Sequence, residues 1–137
     1  MTQCLAQLPL GILHGKRVTG QFDGGDISSD GGLVLLAQAD AQLGLTRRMA
    51  ACLRDVRQPG KVRHRLEELL AQRVYQIAAG YEDCNDADDL RHDPVLKTVV
   101  GRLPQSGRDL ASQPTLSRFE NRVTRRELWQ MAQVLVD

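Results

Sequence analysis

Between Leu66 and Gly80 the chain has few ways to fold. Leu66, Leu69, Leu70, Val74 and Ile77 recur three and four residues apart, which lines them along one face of an α-helix. Gly80 tolerates the left-handed turn that closes such a helix. This is predicted to be the longest helix of the chain, and its apolar face needs partners. Ser28, Ser29 and Asp30 offer N-cap oxygens ahead of the apolar run Leu33 to Leu43, which stops at Gly44. Met49, Cys52, Leu53 and Val56 line one face of a short helix that ends before Gln58-Pro59-Gly60. Asp93-Pro94, a capping residue followed by proline at the first helical position, opens a helix through Val95, Leu96, Val99 and Val100 to Gly101.

Strand signals are sparse. Arg17 to Asp23 alternates, carries β-formers and stops at Gly24-Gly25. No second strong strand accompanies it, so its partner is expected outside the chain or in a weak segment. Leu103 to Ala111 is polar and broken by Pro104 and Gly107, which predicts a loop. Beyond it Leu116, Phe119 and Val123 share a helical face, and Thr124-x-x-Glu127 is a capping box opening a second helix with Leu128, Met131, Ala132 and Leu135 inside. Two helices meeting at a cap with almost no loop form a helix-turn-helix-like element. The expected fold class is therefore mainly α: one helical domain over 1–137, with a short N-terminal β segment and a helix-turn-helix-like C-terminal element. At Asp137 the last helix is still apolar and has no C-cap, which reads as a truncation.

With 137 residues, 42% of them apolar, one core of ordinary domain size is within reach. No run of about 18 apolar residues exists to span a bilayer, and Met1 to Leu13 lacks the pattern of a secretory signal. A cytoplasmic protein with no membrane partner is expected. Cys4, Cys52 and Cys84 form no C-x-x-C pair and have no histidine at zinc-finger distance, so they read as reduced thiols, Cys52 buried, and no metal site is assigned.

A net charge of +1 conceals segregation. Thr46 to Arg73 holds eight basic residues against three acidic, Glu82 to Asp93 one against six, and Arg102 to Arg126 six against two. Two basic blocks flank an acidic one. Such blocks can attract phosphate, although solvated helix faces are the commoner cause. Aromatic residues make up 4%, too few for a platform that stacks single-stranded bases.

Catalytic signatures are missing from the pattern. Asp83 and Asn85 begin a calcium-loop spacing, but Ala87 cannot ligate and Asp88 stands where glycine is needed. Glu82, Asp83, Asp86, Asp88, Asp89 and Asp93 lie in one short segment, whereas two-metal chemistry needs carboxylates from separate elements; helix capping explains them better. His14, His64 and His92 have no ligand or relay spacing, and Ser112, Thr115 and Ser117 have no triad partner. No catalytic residue is assigned.

The segment 112–125 differs. With Leu116, Phe119 and Val123 inward, Ser117, Arg118, Asn121, Arg122 and Arg125 remain outward, and Gln113 precedes them. Arg clamps guanine or phosphate, Asn and Gln pair with adenine, and Ser reaches phosphate oxygens. Gln113, Ser117, Arg118, Asn121, Arg122 and Arg125 are the candidate DNA-binding residues. An ordinary polar face, with Glu120 pairing to a neighbouring Arg, is the competing reading.

Five strings stand in order: Asp26-Ile27-Ser28-Ser29-Asp30-Gly31-Gly32-Leu33, Arg54-Asp55-x-Arg57, Gly80-Tyr81-Glu82-Asp83-x-Asn85-Asp86-x-Asp88, Leu90-Arg91-x-Asp93-Pro94 and Ser112-Gln113-Pro114-Thr115-Leu116-Ser117-Arg118-Phe119-Glu120-Asn121. Together they resemble the N-terminal region of bacterial transposases of insertion sequence family 1380, from about Val18 to Asp137. The resemblance implies a DDE enzyme with a ribonuclease-H-like core, in which Asp, Asp and Glu hold two Mg²⁺ ions that serve DNA cutting and rejoining. It places the first catalytic Asp after the matched segment, so neither the acidic cluster nor Asp137 counts as part of the triad. No cofactor is expected in this chain, and Mg²⁺ is implied for the full-length enzyme. The implied partners are the terminal inverted repeats of the element and, for the full-length protein, a second copy. The expected function is DNA engagement by an N-terminal transposase part, the free chain being a gene remnant or frameshifted piece. A stand-alone helix-turn-helix regulator and an inactive structural remnant remain the alternatives.

Overall fold

A computed structural model describes residues 7–21 and 28–136. Cys4, Phe22, Asp23, Gly24-Gly25, Asp26-Ile27 and Asp137, all used in the sequence reading, lie outside the described residues. The expected class holds: the described chain is mainly helical, with a two-stranded N-terminal sheet.

Of the two places expected for the strand partner, the weak segment within the chain is the one observed. β1 (Gln7–Leu13) pairs antiparallel with β2 (Lys16–Gln21), so the partner lies within the chain and directly precedes β2. Pro9 and Gly11 hide β1 from a β-propensity reading, and the register shift between them marks a bulge there. Gly11 at φ 95° is also where the amide of Gln38 closes in, donating to the Leu10 carbonyl and leaving no room for a Cβ. His14 (φ 49°) and Gly15 (φ 74°) form a two-residue connection with both φ positive, the geometry that suits the twist of a tight hairpin.

α1 (Leu33–Leu43) closes at Gly44, φ 64°, as expected. Its N-terminus differs from expectation, since no side chain among the described residues caps it. Ser28 Oγ accepts from the Asp30 N–H at 3.2 Å, and the Asp30 carboxylate accepts from the Tyr81 hydroxyl at 3.0 Å. A partner 51 positions away has taken the oxygen that a local rule assigns to the cap. α2 (Leu45–Ala51) ends earlier than expected, leaving Cys52 half-buried and Val56 73% exposed.

α3 (Leu66–Ala78) is the longest helix and lies between two apolar clusters. Ala71 and Tyr75 join Leu13, Leu33, Val34, Leu96, Val99 and Leu110; Leu69 and Leu70 join Leu53, Ala111, Leu116 and Phe119. Because α3 is covered on two sides, Gln72, Arg73 and Gln76 are buried with it, while Ile77, expected inside, is half exposed. The Gln72 amide donates to the Ala111 carbonyl at 2.8 Å and accepts from the Ala111 N–H at 2.9 Å. Both backbone groups are thereby satisfied away from water. The Tyr75 hydroxyl, buried and donating to Asp40 at 2.8 Å, is pushed far above the usual phenol range.

α4 (Ala87–Leu90) is a single turn, and α5 (Pro94–Val99) starts where Asp93 accepts from the Leu96 N–H at 2.7 Å. α6 (Gln113–Arg122) buries Leu116 and Phe119. α7 (Arg125–Val134) follows after Val123 and the capping residue Thr124, and it packs against α2. Leu128 and Leu135, expected inside, are 54% and 64% exposed, Ala132 is exposed, and Met131 reaches the core edge.

Glu127 ties α7 to the end of α2. Its carboxylate accepts from the Arg54 N–H at 2.9 Å, the Thr124 N–H at 2.8 Å and the Thr124 hydroxyl at 2.7 Å. These bonds, the Arg54 amide foremost, lower its pKa from 4.5 to about 2. A depressed carboxylate contributes stability that is present above its unfolded pKa and lost as pH falls through the folded one. The α7 start should therefore loosen between about pH 4.5 and pH 2, the folded carboxylate titrating near the lower value. Amide chemical shifts of Arg54 and Thr124 followed by NMR check this; a midpoint at 4.5 would mean the bonds do not hold in solution.

Candidate nucleic-acid interface

The structure folds the two basic sequence blocks against each other. Between them runs a groove of about 930 Å³, lined by eight Lys or Arg side chains and one carboxylate, Asp109. Its apolar lining comes from Leu69, Leu110 and Phe119, each buried in the core, and from exposed Val56. α6 contributes one stripe, Thr115, Arg118 and Arg122, with Ser112 just before it. The segment after α2 contributes Arg57, Lys61, Arg63 and His64; Arg102 and Arg108 come from the loop after α5, and Arg91 from the end of α4.

Each wall has a buried reason for its position. Arg57 chelates Asp55 through Nε (2.8 Å) and Nη2 (2.7 Å) and donates through Nη1 to the His64 carbonyl at 2.8 Å, so the turn at Pro59–Lys61 is strapped to its base. That chelation holds the Asp55 carboxyl well below the usual range. The loop after α5 is pinned by Lys97, which is 4% exposed and donates to the Gly107 carbonyl at 2.6 Å. At Gly107 a Cβ would press on the Leu103 backbone, which requires glycine there. Arg102 bonds Glu68 at 3.2 Å, and Glu68 also accepts from the Arg65 N–H at the start of α3.

Charge is unevenly neutralised. Arg57 and Arg122 share Asp55, and Arg102 has Glu68. Lys61, Arg63, Arg91, Arg108 and Arg118 have no salt-bridge partner among the described residues, and Asp109 faces His92 at 3.1 Å. Surplus cations over an apolar floor give a field that attracts polyanions.

The residues singled out on 113–125 separate. Arg118 and Arg122 line the groove; Gln113, Ser117, Asn121 and Arg125 do not. Asn121 donates its amide to Ser117, to the carbonyl at 2.9 Å and to Oγ at 3.3 Å. Gln113 donates its N–H to Asp88 at 3.0 Å. Arg122 is partly a strut, with Nη2 donating to the Arg54 carbonyl at 2.9 Å. Glu120 pairs not with a neighbouring Arg but with Arg73 of α3. Lys61, Arg63, Arg102 and Arg108 were visible in the sequence only as charge, and His64 only as a histidine with no partner spacing, because nothing in local spacing announces which residues will face α6.

The acidic segment is spent on architecture. Asp83 accepts from Asn85, Asp88 from Gln113, and Asp93 caps α5. Among the described residues no three His, Cys, Asp or Glu side chains come close enough to hold a metal ion. They do not fit a two-Mg²⁺ site, and no chemical step is assigned to them.

Contacts link the first sequence string to the third, the third to the fifth, and the second to the residue just past the fifth. Asp30 meets Tyr81, Asp55 lies 3.6 Å from Arg122, and Asp88 meets Gln113. Arg57, Arg91, Ser112, Thr115, Arg118 and Phe119 of these strings line the groove itself. A family model described as transposase DDE domain group 1 matches residues 10–137. No curated protein and no solved structure matches the chain. Among the described residues, no helix is long and apolar enough to cross a membrane.

Proposed function

Because the chain belongs to the transposase DDE domain group 1 family, we propose that its work in transposition is to hold DNA at the ends of the mobile element, with the groove between the two basic blocks as the contact surface. One observation carries this reading: eight cationic side chains from four parts of the sequence line a single groove against one carboxylate. Duplex DNA presents a dense row of phosphates, and displacing its counterions favours such a surface. Lys61, Arg63, Arg108 and Arg118 are the phosphate-seeking side chains, and the Ser112 and Thr115 hydroxyls suit phosphate oxygens. Contacts of this kind position the duplex, and Arg118, central on the α6 stripe, is the one suited to reach a base edge as well.

The finer assignment is to the insertion sequence family 1380 type, supported by the five strings. In this reading the terminal inverted repeats are the DNA partner, a second copy completes the full-length assembly, and the Mg²⁺-holding Asp, Asp and Glu of a ribonuclease-H-like core lie beyond Asp137. A cytoplasmic setting goes with that role.

Fluorescence anisotropy on duplexes carrying an element end, at two salt concentrations, tests the groove. Lys61→Ala, Arg108→Ala and Arg118→Ala should each flatten the slope of log affinity against log salt by about one unit. Asn121→Ala should leave that slope intact, and Arg122→Ala should lower thermal stability through its lost strut. Folded Lys61, Arg108 and Arg118 variants that keep the parent's affinity and slope would mean that the groove does not meet DNA.

A further inference from the structure

His64 lines the groove half-buried, and its surroundings set its protonation. Its Nδ1 lies 3.2 Å from Arg102 Nη2. A guanidinium has only donors to offer, so Nδ1 accepts, and the ring is neutral with its proton on Nε2. The charges facing it come from every neighbouring element. Arg57, with its partner Asp55, stands on the segment after α2; Lys61, Arg63 and Arg65 flank it in sequence; Glu68 belongs to α3; Arg102 and Arg108 come from the loop after α5. Burial first, then Arg102, with Arg108 and Arg57 adding to it, holds the imidazole below its ordinary pKa, and Glu68 pulls the other way.

Arg102 is loosely held for a residue so enclosed. Its Nε is buried with no hydrogen-bond partner among the described residues, and its Nη1 reaches the Arg108 and Asp109 carbonyls only at 3.4 Å. Its Nη2 is divided between Glu68 and the His64 ring, each at 3.2 Å. A phosphate oxygen is a stronger acceptor for a guanidinium than an imidazole nitrogen.

We propose that DNA binding in the groove takes up one proton at His64, with Arg102 as the group that releases the ring when a phosphate arrives. The inference rests on the reading of the groove as a DNA site. As Arg102 turns to the phosphate, Nδ1 loses its donor and becomes free to take a proton from solvent. The phosphate charge offsets the cations that opposed protonation, and the imidazolium becomes a further N–H donor to the DNA backbone. The complex therefore has the higher His64 pKa. Affinity must rise as pH falls through the interval between the pKa of the complex and that of the free protein, by at most roughly tenfold per pH unit.

The test uses the full chain and a duplex carrying a dye that does not titrate in this range, at constant ionic strength from about pH 8 to about pH 5.5, where histidine changes charge. The parent should bind several-fold more tightly at the acid end. His64→Gln, whose amide oxygen can still accept from Arg102, should lose that pH slope, while His92→Gln, next to Asp109 outside the groove lining, should keep it. NMR titration of the His64 ring in the unmodified protein, free and DNA-bound, gives a readout independent of any variant's folding, and its midpoint should rise on binding. Saturable DNA binding with no pH slope, a slope retained in folded His64→Gln, or an unmoved His64 midpoint would overturn this inference and leave the groove reading standing. Absence of saturable binding at every pH would overturn both.

Discussion

Phe119→Ala is expected to lower stability by roughly 3–5 kcal/mol, the usual cost of removing a buried aromatic ring. Phe119 is 5% exposed and packs with Leu69, Leu70 and Leu116. It also forms part of the groove's apolar lining. Against a total stability of about 5–15 kcal/mol for a domain of ordinary size, this is roughly a fifth of the margin or more. The melting temperature should fall by roughly 10–20 °C. A circular dichroism melt beside anisotropy measures both consequences. DNA affinity should drop only in proportion to the unfolded fraction, since a benzyl group carries no charge to phosphate. A variant with an unchanged melt would show that this cluster is not packed as described; a variant with an unchanged melt and lost binding would give Phe119 a direct contact.

Arg73→Met should be nearly as damaging, by about 3–5 kcal/mol, because it breaks a largely buried ion pair from one side. The Arg73 side chain is 11% exposed and donates to Glu120, to the Tyr81 carbonyl at 3.1 Å and to the Glu82 carbonyl at 2.6 Å. Methionine fills similar volume but strands both carbonyls, and it unties the exit of α3 from α6. Glu120 is 40% exposed and can rehydrate, which puts the expected loss toward the lower end of that range. Chemical denaturation of Arg73→Met, Glu120→Gln and the double variant resolves the pair. A coupling energy below about 0.5 kcal/mol would reduce the Glu120 contact to surface decoration.

Where the fold obeys local rules, it was legible. Gly44, Gly80 and Gly101 all take positive φ at helix ends, Asp93 caps α5, and Thr124 with Glu127 forms the capping box of α7. β1 was missed because Pro9 and Gly11 are poor strand residues that a bulge accommodates. Ile77, Leu128 and Leu135 fit the apolar period yet stay exposed, since periodicity identifies a face without saying whether another element covers it. The groove was half legible. Two basic blocks stood out, but their apposition depends on the Gln72 bonds to Ala111 and on Lys97 reaching Gly107, contacts with no sequence signature. Gln113, Ser117 and Asn121 were grouped with Arg118 because all are polar and turn outward. The helix instead presents Thr115, Arg118 and Arg122 to the groove and the others to a neighbouring stripe.

The N-terminal hairpin carries a consequence for how the chain is made. Leu13 packs with Leu96, Val99 and Leu110, and the His14 ring meets the Val99 carbonyl 85 positions downstream. A two-stranded hairpin alone is marginal in water. On the ribosome it is made before α5 and must wait for that helix to follow, an interval of roughly 4–17 s for 85 positions at about 5–20 residues per second. Throughout that interval Leu8 and Ile12, exposed even in the finished fold, stand beside open strand edges, with α1, the packing neighbour of β1, already made. The hairpin is thus made well before the residues that complete its seat, and the nascent chain is open to mispairing at β1 and β2 in the meantime.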